Sequence, residues 1–292
     1  MKIVVSGGTG FIGEPLVARL VARGDDVAVV SRDPAKVRTG RGIAWDATGE
    51  IGSADAIINL AGENIGARWT EARKRRILDS RVKATSALVD AMKRHPEHRR
   101  TFVSASAVGY YGARGDEVLD ESAEAGAGFL AEVTRKWEEL AHGADALARV
   151  VITRFGVALG RNGGALQKLL LPFRLGLGGP VGSGRQWMSW VDHADVIAFI
   201  EWALDHDSLR GVYNVTAPEP VTSRAFAKTL GRVLHRPAFL PTPGFALKIA
   251  FGDMADETLL SGQRVMPARA TREGFVFRYP SLDASLRHAL AD

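Results

Sequence analysis

The run SGGTGFIG (Ser6–Gly13) follows an apolar stretch, KIVV, and leads straight into the amphipathic EPLVARLVAR; no other feature constrains this chain as strongly. A strand that passes through Gly-x-x-Gly-x-x-Gly and opens a helix is the setting of a dinucleotide fingerprint. Gly7 permits the tight turn, Gly10 lets a diphosphate approach the backbone, and Gly13 lets helix and strand pack closely. Gly8 offers a second frame, shifted by one residue at its start. The helix N-terminus adds free N–H groups and the positive end of its dipole. Gly7, Thr9, Gly10, Phe11, Ile12 and Gly13 are therefore the expected diphosphate cradle.

Which dinucleotide binds is decided at the end of the second strand. An acidic residue there accepts from a ribose 2′-hydroxyl. In DVAVVSRDP (Asp26–Pro34) the first residues past the apolar run are Ser31 and Arg32, a hydroxyl and a guanidinium suited to a 2′-phosphate. Asp33 would restore an acid only by shifting the alignment two residues. The expected cofactor is NADP(H).

The pattern around the turn repeats. Short Val- and Ile-rich runs at 2–6, 26–31, 43–45, 56–60, 101–104 and 150–154 alternate with helical patterns at 11–23, 70–94 and 129–142. Such alternation predicts an α/β, Rossmann-type, doubly wound parallel sheet. After Gly160 the texture changes to glycine clusters (LGLGGPVGSG) and proline clusters (HRPAFLPTPG), with helices expected at 192–205, 223–234 and 281–290. Asp192, Thr222 and Ser281 stand where N-caps would. The expected organisation is a dinucleotide-binding domain over 1–160, interleaved with a smaller, mixed substrate-side region over 161–292.

Composition narrows the function classes. The net charge of +5 is mild, and the basic runs ARKRR and HPEHRR carry no interleaved aromatics, so no nucleic-acid partner is expected. No run approaches the ~18 apolar residues of a membrane span, so no membrane partner is expected either. Cysteine is absent, which removes thiolate chemistry and fits a cytoplasmic location. His193 lacks companions at metal spacing, so no metal site is expected. No Gly-x-Ser-x-Gly or His-Glu-x-x-His motif points to hydrolysis.

Taken together, SGGTGFIG, NLAG (Asn59–Gly62) and VSASAVGYYG (Val103–Gly112) resemble the extended short-chain dehydrogenase/reductase superfamily. GENIGARWTEARKRRILDSRVKAT, GFLAEVTRKWE, GSGRQWMSWVDHAD and GVYNVTAPEPVT narrow the resemblance to its atypical, epimerase-like branch, often labelled nucleotide-sugar epimerase. The resemblance implies an oxidoreductase or epimerase-like protein acting on a small polar substrate such as a nucleotide-linked sugar, and by analogy a homodimer. It implies that Asn59, Leu60, Ala61 and Gly62 lie along the adenosine and nicotinamide ribose, that Asp46 approaches the adenine, and that Glu63 follows at the nicotinamide end. Arg81 stands where relatives commonly have Asn and is placed with the cofactor cleft. Arg154, Trp187, Trp190 and Asp192 come from segments that line the substrate cleft in relatives.

The family's Ser and Tyr-x-x-x-Lys pair is only half present. Ser106 matches the catalytic Ser, but alignment on Glu138 puts Leu130 at the Tyr position and Thr134 at the Lys position. Neither transfers a proton at neutral pH. Three readings stay open: Tyr110, Tyr111 or Glu132 supplies the proton; water or a substrate group does; or the chain binds NADPH without turnover, as a sensor or interaction module. Tyr111 precedes Gly112 as a turn residue does, so Tyr110 is taken with Ser106 as the catalytic candidate.

Overall fold

The computed structural model describes residues 1–291. Seven parallel strands build the central sheet: β1 (Lys2–Ser6), β2 (Asp26–Val30), β3 (Arg41–Ile43), β4 (Ala56–Asn59), β5 (Thr101–Ala107), β6 (Arg149–Phe155) and β7 (Gly211–Val215). Their order across the sheet is β7-β6-β5-β4-β1-β2-β3. The chain winds outward from β1 in one direction and then returns to wind outward in the other, which is the doubly wound arrangement. Ser6 ends in register with Val30 on one side and Asn59 on the other, so the crevice at the switch point opens directly above β1.

β1, β2 and β4 are apolar on both faces over most of their length because both are covered. Ile3, Val5, Val27, Val29, Val103 and Val151 pack with α1 (Gly13–Ala22) and the helix His193–Asp205. Val4, Ala28, Ile57, Phe102 and Ile152 pack on the opposite face beneath the long helix Glu71–Lys93 and the helix Phe129–His142. This period-2 division also decides where the polar strand residues point. Ser104 and Ser106 share the face of Phe102, and Arg154 shares the face of Ile152, so all three point toward the layer of helix 129–142.

The expected elements are present with shifts of a few residues: the third strand lies at Arg41–Ile43 rather than 43–45, and α1 begins at Gly13. After Gly160 the chain re-enters the sheet as β7, paired with β6, and adds the sheet-covering helix 193–205. The expected caps hold: Asp192 accepts from Ala194 N–H at 2.8 Å, Thr222 from Ala225 at 3.2 Å and Ser281 from Ala284 at 3.4 Å. Around these, short paired strands and further helices form the smaller, mixed region.

Candidate dinucleotide site and the cleft above it

The glycine turn leaves room for nothing except backbone. Gly7 has φ +74°, and a Cβ there would stand 2.7 Å from the carbonyl of Leu60. A Cβ on Gly13 would stand 2.2 Å from the Gly7 oxygen, whereas one on Gly10 would meet that oxygen alone, at 3.2 Å. The Gly10 N–H donates to the Gly7 carbonyl at 3.0 Å and closes the turn. At the N-cap of α1 stands Ile12, whose side chain accepts no hydrogen bond. An apolar cap leaves the first amides of the helix to an outside acceptor. A diphosphate fits this cradle. Phe11 is fixed from behind: its ring lies 4.4 Å from that of His193, whose Nε2 bonds the Phe11 carbonyl at 2.8 Å.

At the adenosine end, Ser31 bonds locally to Asp33, and Asp33 pairs with Lys36 at 2.8 Å. The acid that could have served an unphosphorylated ribose is thus turned onto a lysine. A cleft of about 210 Å³ opens beside it, lined by Gly8, Thr9, Lys36, Arg38 and Thr39 among others. Lys36 and Arg38 are the cations of that cleft and Glu14 its one acid; Arg32 lies outside its lining. Sequence reading missed Lys36 and Arg38 because they follow the strand on a short 3-10 turn, outside the fingerprint. Asp46 is exposed after β3, and its side chain makes no hydrogen bond or ion pair among the described residues.

The expectation for Asn59 needs correction. Its side chain is fully buried, accepting from Ser6 Oγ at 2.8 Å and donating to Thr85 Oγ1 at 2.9 Å. It ties β1, β4 and helix 71–93 together behind the loop Leu60–Gly62. Glu63 donates its N–H to Ser80 Oγ at 2.9 Å and offers its carbonyl to Arg81 Nη1 at 3.2 Å. The Arg81 guanidinium lies against Gly62 and over the Trp137 ring at 4.9 Å, with no carboxylate in ion-pair range among the described residues. Burial pushes its pKa down to about 10, against a weaker pull upward from Glu63.

Ser106 is held inside the fold as well. Its hydroxyl is buried and donates to Glu138 Oε1 at 2.5 Å. Glu138 in turn accepts from Arg154 Nε at 2.8 Å and Nη2 at 2.7 Å, a bidentate pair closed off from water. Arg154 Nη1 donates to the Tyr111 hydroxyl at 2.9 Å, which donates to Asn214 Oδ1 at 2.8 Å. Burial alone would lower the Arg154 pKa; the Glu138 carboxylate outweighs it and holds the guanidinium firmly charged. Burial raises the Tyr111 pKa, so it stays a neutral phenol inside the network. Ser106 and Tyr111 are thus committed internally.

Tyr110 differs. It is half-buried, its ring lies 3.3 Å from the Arg154 guanidinium carbon, and its hydroxyl makes no hydrogen bond among the described residues. Leu130 packs against Gly109 and an apolar cluster with Trp69, Ile77 and Met254, while Thr134 Oγ1 bonds back to Leu130 O at 2.8 Å. Glu132 and Lys136 lie exposed on the outer face. The helix carrying Leu130 is capped from afar: the Glu257 carboxylate accepts from Phe129 and Leu130 N–H at 2.9 Å each. Of the two tryptophans, Trp190 is core, donating to Glu219 O at 2.9 Å, whereas Trp187 is half-exposed, donates to Asp116 and carries Arg264 over its ring at 4.4 Å. Arg264 Nε and Gln186 Oε1 are buried without partners among the described residues. Asp192 is spent on helix 193–205, Ser285 and His288.

A glycine-cradled helix with an apolar cap, set at the switch point of a parallel sheet, defines a dinucleotide-binding protein of the Rossmann class. Residues 3–216 match the NAD dependent epimerase/dehydratase family, and residues 242–289 match a domain of unknown function, DUF1731. Over 297 residues, covering all of both chains, this protein is 39% identical to the epimerase family protein SDR39U1 of Homo sapiens. It is 42% identical to the chloroplastic SDR39U1 homolog of Arabidopsis thaliana over 299 residues, covering 98% of this chain and 86% of that one. The crystal structure of the human protein (isoform 2) with NADPH matches with a TM-score of 0.92, at 39% identity over 99% of each chain. The chain belongs to the NAD-dependent epimerase/dehydratase family, among the SDR39U1-type members of the extended short-chain dehydrogenase/reductases.

Proposed function

We propose that the chain binds NADPH in the Gly7–Gly13 cradle and reduces or epimerises a small polar substrate held above it. The observation that carries the reading is the cradle itself: a turn in which Gly7 and Gly13 exclude any side chain and α1 has no cap of its own. The amides of Thr9, Phe11 and Ile12 would hold the diphosphate. Ser31, Arg32, Lys36 and Arg38 would hold the 2′-phosphate, and Leu60, Ala61 and Gly62 would border the riboses. NADPH, when bound, supplies a hydride donor to the cleft.

Tyr110 is the proton donor in this proposal. Its hydroxyl is uncommitted, whereas those of Ser106 and Tyr111 are consumed by Glu138, Arg154 and Asn214. Arg154 holds the Tyr110 ring in place, and Glu138 holds Arg154. Arg81, desolvated and without a counter-ion, supports a substrate that carries an anionic group. The unpartnered Gln186 Oε1 and Arg264 Nε support a substrate with both a donor and an acceptor beside the Trp187 ring, as a nucleotide-linked sugar has. NADPH oxidation against a panel of carbonyl compounds and nucleotide sugars tests this. Tyr110→Phe is expected to lower kcat by ~10²-fold or more with NADPH affinity unchanged, while turnover that survives the substitution removes Tyr110 from the role.

Leu130 and Thr134 support a second reading, an NADPH-binding module without turnover. It predicts tight NADPH binding and no oxidation with any compound of the panel.

A further inference from the structure

Large apolar side chains stand exposed in the C-terminal half. Leu171, Leu175, Leu177, Phe239, Phe245 and Ile249 are each between 59 and 71% exposed. Leu171 and Leu175 stand one turn apart on the helix Gly164–Arg174, and Phe245 and Ile249 one turn apart on the helix Gly244–Phe251, which buries no residue at all. The strap between the two helices joins these surfaces. Leu240 N–H donates to Gly178 O at 3.1 Å, Thr242 N–H to Pro180 O at 2.9 Å, and Arg236 Nε to Arg174 O at 3.0 Å. The exposed side chains therefore lie on adjoining segments rather than scattered singly, and a patch of this kind marks an interaction site.

The charge around the patch says what it meets. From Arg161 to Val191 and from Pro220 to Gly252 the sequence contains no Asp or Glu, but four and five Lys or Arg respectively. Lys248 reaches out to Asp256 and Arg232 to Asp283. Arg174, Arg185, Arg224, Lys228 and Arg236 are exposed and make no ion pair among the described residues. A second copy of the chain would bring the same cations against these. An apolar surface bordered by unpaired cations such as Arg174 and Arg236 complements an anionic, amphiphilic partner.

We propose that this face docks on an anionic lipid bilayer, with Phe239, Phe245 and Ile249 entering the interface and the unpaired cations meeting the headgroups. This is surface attachment and not insertion, since no helix among the described residues is long and apolar enough to cross a membrane. The face adjoins the cofactor loop, since Lys168 bonds the Gly66 carbonyl and Arg68 the Ile249 carbonyl. Docking would set the cleft close to the lipid surface.

Flotation of the full chain with vesicles tests the proposal. The chain is expected to float with phosphatidylcholine vesicles containing phosphatidylglycerol, to stay behind with phosphatidylcholine alone, and to be released by salt. Each unpaired cation near an anionic leaflet is worth roughly fivefold in affinity, so Arg174→Gln with Lys228→Gln should weaken binding about 25-fold. Phe245→Ser with Ile249→Ser should abolish it, with NADPH affinity and far-ultraviolet circular dichroism unchanged in both variants. The proposal is overturned by failure to float with the anionic vesicles or by equal flotation with neutral ones. It is equally overturned if light scattering finds a dimer that Phe245→Ser with Ile249→Ser converts to monomer, because the occupant is then a second copy.

Discussion

Arg154→Met is the substitution that most sharply probes how the cleft is held. In the native chain the guanidinium makes two hydrogen bonds to Glu138, one to Tyr111 and a ring contact with Tyr110. Both members of the ion pair are almost fully buried, with side chains 4% and 7% exposed. Removing Arg154 leaves the Glu138 carboxylate in the interior with Ser106 as its remaining donor. Breaking a buried pair from one side costs about 3–5 kcal/mol, whereas replacing both partners by apolar groups is far milder. With an unfolding entropy near 2.1 cal/mol/K per residue, a chain of this length loses roughly 5–8 °C in Tm for that cost. Glu138→Leu alone should cost a similar amount by stranding the guanidinium. The double variant should recover most of the loss, giving a coupling energy of at least ~2 kcal/mol in a double-mutant cycle measured by calorimetry. Additive losses, or a single-variant loss below ~1 kcal/mol, would refute the reading of this network as a closed, mutually dependent pair.

Further expectations follow from other parts of the structure. Gly13→Ala places a Cβ 2.2 Å from the Gly7 oxygen, so it should abolish NADPH binding in a fluorescence titration; retained affinity would mean the turn is softer than its geometry implies. Lys36→Ala with Arg38→Ala should weaken NADPH by ~10-fold or more and leave NADH nearly unchanged, since charge-assisted bonds to the 2′-phosphate are worth about 1.5–3 kcal/mol each. Burial pushes the Asp25 pKa up, but hydrogen bonds from the N-terminal ammonium and Arg23 outweigh it and hold the carboxyl below its ordinary range. A depressed carboxyl stabilises above the unfolded value near ~4 and loses that contribution as pH falls through the folded value. Denaturant titrations below pH ~4 should therefore show a shallower decline for Asp25→Asn than for the native chain, and parallel declines would count against the pair.

What the sequence made legible was local. The glycine turn, the Ser31–Arg32 strand end and the caps Asp192, Thr222 and Ser281 each depend on residues within a turn of one another, and each appears where expected. β7 escaped because GVYNV sits between a glycine and a Pro-Glu-Pro stretch, far along the chain from its partner β6; strand pairing over such a distance leaves no local mark. The network of Ser106, Glu138 and Arg154 escaped for the same reason, being assembled from β5, helix 129–142 and β6. A signal did exist. Alternation from Phe102 puts Ser106 on the helix-facing side of β5, and alternation from Ile152 does the same for Arg154. Helix 129–142 also carries the family's Tyr and Lys positions, so the period-2 rule agrees with the family position of Ser106; only its pairing with Glu138 needed the tertiary fold.

In the proposed site the uncapped start of α1 holds the diphosphate common to both coenzymes, and Lys36 and Arg38 beside Gly8 and Thr9 select NADPH by its 2′-phosphate. Isothermal titration of the purified chain with NADPH and with NADH, side by side, tests it most directly. The account predicts binding of NADPH at least about tenfold tighter than NADH. Equal affinities would contradict the choice of coenzyme, and no heat with either would contradict the site.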